Sequence, residues 1–104
     1  MATSSQIDQI VKDLLPYGPE RIILFGSAAR GDADEYSDID IIVIKRTDTR
    51  FVLRLVEAGS YISLSLRVDV FVYTPEEFQA MIEEENPFIE NVLRDGIVIY
   101  EKAP

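Results

Sequence analysis

Three aspartates and one small-residue turn are the parts of this sequence whose types and spacing could do chemistry. Asp38 and Asp40 stand two apart in Ser37-Asp38-Ile39-Asp40-Ile41-Ile42-Val43-Ile44, a β-branched run that reads as a strand. Alternate strand residues point to one face, about 6.6 Å apart along the chain. Both carboxylates are therefore expected on one side, with Ile39, Ile41 and Val43 turned the other way into the core. Bare, the two would repel, and burial would push at least one toward protonation. A divalent cation removes that penalty. Magnesium takes hard oxygen ligands, commonly one or two carboxylates with waters and substrate phosphates. The alternative reading has Asp38 as a turn residue and Asp40 facing solvent. Asp69 interrupts a second β-branched run, Arg67 to Tyr73, with Val68, Val70 and Val72 on one face and Asp69, Phe71 and Tyr73 on the other. A mid-strand carboxylate needs a partner. Either this strand lies beside that of Asp40 and the three carboxylates converge, or Asp69 pairs with Arg67, Arg54 or Lys45.

The turn is Phe25-Gly26-Ser27-Ala28-Ala29-Arg30-Gly31. A strand runs into small residues and then into a short helix. Gly26 lets backbone approach a ligand, and free N–H groups at such a helix start, with the Ser27 hydroxyl, can cradle phosphate oxygens. Gly26 and Gly31 have Walker A spacing, but Asp32-Ala33 follows where Lys and Ser/Thr are required. The plainer alternative is a strand-to-helix turn whose small residues serve packing. A phosphate cradle beside three carboxylates suits phosphoryl or nucleotidyl transfer with two metal ions, about 3.5–4 Å apart, at the attacking and leaving oxygens. Asp69 could also take the acceptor's proton, because the sequence has no histidine.

The elements that must position these groups follow from periodicity. A helix is expected from about Ser5 to Leu15, with Ile7, Ile10, Val11, Leu14 and Leu15 on one face, ended by Pro16 and Gly18. Arg21 to Phe25 reads as a buried strand. Thr49 to Tyr61, with Phe51, Val52, Leu55, Val56 and Ala58, reads as a helix packed on a sheet. Thr74-Pro75-Glu76-Glu77 is a capping box opening a helix that buries Phe78, Met81 and Ile82. Asn86-Pro87 starts another, with Phe88, Ile89, Val92 and Leu93 inward. Ile97 to Tyr100 makes a last edge strand. The alternation predicts an α/β or α+β sheet with helices packed on it, as one domain over residues 1–104.

Composition narrows the rest. The 104 residues are 47% apolar, enough for one packed core. No cysteine or histidine is present, which excludes disulfides, thiolate or histidine metal sites, and Ser-His or Cys-His catalysis. Net charge is −9, from 19 acidic and 10 basic side chains. That surface repels nucleic acid and suits a basic protein partner or a metal-charged ligand. No apolar run approaches the roughly 20 residues of a membrane span, and no secretory signal is seen at the start. A cytoplasmic location is expected by default.

Gly26-Ser27, Ala29-Arg30-Gly31 and Ser37-Asp38-Ile39-Asp40-Ile41-Ile42-Val43, followed by a strand aspartate, resemble the signature of the DNA polymerase β-like nucleotidyltransferases. Within that superfamily the chain resembles the minimal nucleotidyltransferases, the MntA-like antitoxin partners of HEPN toxins. The resemblance implies a polymerase β-like fold with a mixed sheet. It implies that Gly26 and Ser27 hold the triphosphate, that Asp38 and Asp40 bind two Mg2+ ions, and that Asp69 completes the metal site. Arg30 would support the loop or touch phosphate, or else pair with Asp32 or Asp34. ATP would be the donor, AMP the group transferred, and a tyrosine hydroxyl of a HEPN-family toxin the acceptor, in a possible hetero-oligomer. Larger relatives add an acceptor-binding domain, for which this length leaves no room, so the acceptor site is expected from a partner. Two alternatives are an antitoxin that neutralises the toxin by binding alone and a nucleotidyltransferase acting on a small molecule such as an aminoglycoside.

Overall fold

The computed structural model describes residues 4–31, 38–63 and 67–103. Ser37, Asp32 and Asp34, named above, lie outside them. Helix α1 is Ser4–Leu14, followed by a 3-10 turn at Leu15–Tyr17. Strand β1 is Arg21–Phe25, α2 is Ser27–Arg30, β2 is Ile39–Ile44 and α3 is Phe51–Tyr61. Strand β3 is Val68–Tyr73, α4 is Pro75–Glu83, α5 is Pro87–Asp95 and β4 is Ile97–Glu101. The expected elements are all present within a residue or two.

The four strands form one mixed sheet in the order β3-β2-β1-β4. β1 pairs antiparallel with β2 and with β4, whereas β2 and β3 run parallel. The parallel pair is joined through α3, since parallel neighbours need a crossover. Both faces are covered. On one, α1 and α3 place Ile10, Leu14 and Ala58 against Ile22, Leu24, Ile39, Ile41, Val43, Val70 and Val72. On the other, α4 and α5 place Phe78, Ile89 and Val92 against Ile23, Ile42 and Ile44. Ile39, Ile41 and Val43 face a core as expected. The face of β2 that carries Asp40 is no solvent face, however, because Ile42 and Ile44 beside it are buried too.

Helix α4 shows the expected start. Thr74 Oγ1 accepts from the Glu77 N–H (3.1 Å), and Glu77 Oε1 accepts from the Thr74 N–H (2.8 Å). In α5, Asn86 Oδ1 accepts from the N–H of Phe88 at 2.9 Å.

Three helices depart from the periodic reading. Leu15, expected on the inward face of α1, falls past its end in the 3-10 turn and is exposed. In α3, Ala58 is buried and Phe51 and Leu55 are half-buried as expected, but Val52 and Val56 are each 69% exposed, and the side chain turned inward beside Ala58 is Arg54. A buried guanidinium is tolerable only with full pairing. Arg54 Nη1 donates to Glu77 Oε1 at 2.6 Å and Nη2 to Glu77 Oε2 at 3.3 Å. Its Nε donates to the Thr49 carbonyl (2.7 Å) and Nη1 also to that of Val72 (3.2 Å). The pair ties α3, β3 and α4 together. In α5, Leu93 is exposed and Phe88 only partly covered, so the inward stripe narrows to Ile89 and Val92.

Candidate active site

The sheet register decides whether the aspartates meet. In the parallel β2–β3 ladder Asp40 is paired with Asp69, and in the antiparallel β1–β2 ladder Asp40 is paired with Phe25. Paired residues share a face and stand about 4.8 Å apart across the strands. Phe25, Asp40 and Asp69 therefore form one transverse row on the α4–α5 side of the sheet. Ile23, Ile42 and Phe71 form the next. The acidic row lies at the end of the sheet where β1 finishes and β2 and β3 begin.

The electrostatics agree with this placement. Burial pushes the Asp40 carboxyl above its usual range, and the charge of Asp69, a hydrogen bond with Asp69 and the charge of Asp38 push it further. Arg30, from α2, pulls it back down, so its charge reaches the same spot. Two carboxylates this close repel when both are ionised, a penalty that a cation between them would relieve. Asp38 precedes β2 and leans outward: its Oδ1 is 3.1 Å from Arg67 Nε. As the side chains stand, no three acidic groups among the described residues converge at ligating distance of one point. Asp40 and Asp69 are turned onto each other and Asp38 onto Arg67.

The expected small-residue turn borders Asp40. Gly26 ends β1 with φ 72° and ψ −153°, a region closed to residues with a side chain. A Cβ there would stand 2.6 Å from Asp40 Oδ2, so glycine, which the turn requires, also lets the carboxylate sit where it does. Ser27 opens α2, and Gly31, at φ 81°, ends it with its N–H on the Ser27 carbonyl at 3.0 Å. The N–H groups of Ala29 and Arg30 donate to the Gly26 carbonyl at 3.1 Å, and those of Ser27 and Ala28 come before the first bond of the helix. Gly26, Ser27 and Arg30 are thus brought to the same end of the sheet as Asp38, Asp40 and Asp69. Of the basic side chains weighed as partners for Asp69, Arg54 is bound to Glu77, Lys45 lies over the Tyr17 ring at 4.7 Å, and Arg67 pairs with Asp38.

Three aromatic rings frame the row. Phe88 meets Phe25 edge-on, with centroids 5.4 Å apart, and Phe71 at 6.1 Å, while Phe25 and Phe71 are 6.2 Å apart. Sequence reasoning assigned these residues to packing alone. Only the alternation Asp69-Val70-Phe71 hinted that an aromatic shares the face of Asp69. A larger cavity of about 620 Å3 opens at the far end of the sheet, beside Ile44 and Lys102. Four residues of strand, roughly 13 Å, separate Ile44 from Asp40, so size does not mark the chemistry here.

A hard, oxygen-rich donor set at the sheet's end, with a glycine cradle against it, is chemically suited to a divalent cation and a phosphate. Comparisons with known proteins agree in kind. A family model described as a nucleotidyltransferase domain matches residues 4–100. A protein of Methanocaldococcus jannaschii assigned as a protein adenylyltransferase (MJ0604) is 37% identical over 81 residues, covering 78% of this chain and 78% of that one. Among solved structures, a nucleotidyltransferase assigned in Sulfolobus solfataricus superposes with a TM-score of 0.66 at 22% identity, over 93% of this chain and 79% of that one. A toxin–antitoxin complex with AMP-PNP contains a chain that superposes with a TM-score of 0.62 at 24% identity, over 92% and 73%. At those identities the two structures establish a shared fold. No helix among the described residues is long and apolar enough to cross a membrane.

Proposed function

The chain belongs to the nucleotidyltransferase domain family, an enzyme class that acts on nucleoside triphosphates, and from that premise we propose that it transfers AMP from ATP to a hydroxyl of a partner protein, acting as the antitoxin of a HEPN-type toxin. The observation that carries this reading is the in-register pairing of Asp40 with Asp69, next to the Gly26 turn. The acceptor we infer is a tyrosine of the toxin.

In this reading Asp38, Asp40 and Asp69 hold two magnesium ions, which would neutralise the triphosphate and lower the pKa of the acceptor hydroxyl. Gly26 and Ser27 hold the phosphate tail through backbone N–H groups and the Ser27 hydroxyl. Arg30, whose charge already reaches Asp40, faces the phosphates. Asp69 accepts the proton of the attacking hydroxyl. The hydroxyl oxygen bonds to the α-phosphorus, the α–β phosphoanhydride bond breaks, and pyrophosphate leaves. Loading the site would relieve the repulsion between Asp40 and Asp69 and would draw Asp38 off Arg67, its ion-pair partner in this structure.

Support for a protein acceptor comes from α3. That helix packs on β3, the strand of Asp69, and leaves Val52, Leu53 and Val56 exposed as an apolar stripe. Clustered exposed apolar side chains mark interaction sites. The fold neighbour solved as a toxin–antitoxin complex and the archaeal relative assigned as a protein adenylyltransferase point the same way.

The test is transfer of label from ATP labelled at the α-phosphate, with magnesium, onto the product of the neighbouring reading frame. Labelling by the wild type and none by Asp38→Ala, Asp40→Ala or Asp69→Ala is the expected result. Full neutralisation of the toxin by all three folded variants would instead establish the binding-only antitoxin, and label on an aminoglycoside the small-molecule enzyme.

A further inference from the structure

We propose that the cleft between the tip of β1 and helix α5 is the seat of the nucleotide's base, with Phe88 as its stacking platform and Asn91 as the residue that reads its edge. This inference rests on the nucleotide reading above and says which side of the carboxylate row the base occupies.

The cleft is lined by Phe25, Gly26 and Arg30 on one side and Phe88, Asn91 and Asp95 on the other, and holds about 190 Å3. That is below the roughly 300 Å3 of a site for a whole drug-sized ligand, and so fits one ring system of a larger molecule. It adjoins the acidic row directly. Phe25 is the cross-strand partner of Asp40, and a Cβ on Gly26 would stand 2.6 Å from Asp40 Oδ2. A nucleotide whose α-phosphate lies over Asp40 and Asp69 can reach it through the ribose.

The lining favours a base over a phosphate. Phe25 and Phe88 supply aromatic walls, poor hosts for an anion. The one cation among the lining residues, Arg30, stands beside Gly26 at the edge shared with the phosphate turn, with the Arg94-paired carboxylate of Asp95 on the opposite side. Phe88 is rigid but not covered. Edge contacts with Phe25 and Phe71 fix its ring, yet 36% of the residue remains exposed. A fixed, half-open ring next to a nucleotide site is a stacking surface, tolerant of any base. Asn91 lies three residues on, along the same face of α5, and is itself exposed. Its side-chain amide is one donor and one acceptor side by side, the pattern that pairs with adenine's N6 and N7. Asn91 thus favours adenine, while Phe88 carries most of the affinity.

Titration calorimetry with magnesium tests this, using a non-hydrolysable ATP analogue, its guanine counterpart and tripolyphosphate as ligands. Phe88→Leu should weaken the ATP analogue about ten-fold or more and leave tripolyphosphate unchanged. Asn91→Ala, an exposed helix position that leaves folding intact, should reduce the preference for the adenine over the guanine analogue. Equal weakening of the analogue and tripolyphosphate by Phe88→Leu would place the phosphate tail in the cleft and overturn the proposal. So would an unchanged base preference in Asn91→Ala. If the wild type binds the ATP analogue no better than tripolyphosphate, the base has no seat and this inference falls while the nucleotide reading stands. If it binds neither, both fall.

Discussion

Replacing Gly26 with alanine tests the geometry of the site through a single methyl group. The backbone at Gly26 sits at φ 72° and ψ −153°, and holding a side-chain residue there costs about 1–3 kcal/mol. The new Cβ would also stand 2.6 Å from Asp40 Oδ2, closer than any real Cβ contact, so the carboxylate must swing away from the turn. For a domain of this size each 1 kcal/mol lowers Tm by about 4–8 °C. Gly26→Ala should therefore melt on the order of 5–20 °C below wild type by circular dichroism, and should lose magnesium-nucleotide binding even where it remains folded. Gly59→Ala is the matched control. Gly59 lies inside α3 with nothing within 4 Å of a Cβ, so the same change there should stabilise by roughly 0.5–1 kcal/mol. A double-mutant cycle with Asp40→Ala separates the two costs, because removing the carboxylate relieves the clash and leaves the backbone strain. Wild-type stability in Gly26→Ala would refute the reasoning. A loss of the same size with and without the Asp40 side chain would refute the close approach specifically.

Three further outcomes follow from the same structure. Asp40 has a raised folded pKa, so its ionisation destabilises the fold as pH rises from the unfolded value through the folded one; Asp40→Asn should raise Tm in metal-free buffer at pH 7, abolish stabilisation by magnesium-nucleotide, and match wild type in acid melts. Removing Arg54 strands Glu77 and two backbone carbonyls. Breaking a fully buried pair costs roughly 3–5 kcal/mol, but the Glu77 side chain is 43% exposed and can rehydrate, so Arg54→Met should cost about 2 kcal/mol in urea unfolding. The Arg54 hydrogen bond holds the Glu77 carboxyl below its usual range, helped by Thr74. That contribution is present above the usual glutamate pKa and is lost as pH falls through the depressed one, so Glu77→Gln should flatten the decline of Tm between about pH 5 and 3.

How far the sequence carried the structure depended on whether a feature was local. Thr74 and Glu77 form their box within one helical turn, and Asn86 caps the next helix, so both starts were legible from spacing alone. The strands of Asp40 and Asp69 were legible from alternating and β-branched residues. Their adjacency was not, because no period reports which strands pair or in which register. The parallel ladder that brings Asp40 opposite Asp69 is a fact of topology. The part-turn of helix α3 about its axis was hidden for a related reason. Hydrophobic periodicity turned Val52 and Val56 inward, whereas Arg54 takes that face because Glu77, 23 residues later, satisfies it. Among the site groups, the pairing of Asp38 with Arg67 and the convergence of Phe25, Phe71 and Phe88 likewise needed the sheet order.

The central claim is that Asp40 and Asp69, with Asp38, are the donor set for divalent cations that accompany a nucleotide. Crystals grown with Mn2+ and a non-hydrolysable ATP analogue, measured at a wavelength where manganese scatters anomalously, test it most directly. The account predicts anomalous density between Asp40 and Asp69, with Asp38 rotated off Arg67 to join it. Nucleotide bound without manganese at those carboxylates, with Asp40 and Asp69 still hydrogen-bonded to each other, would contradict it.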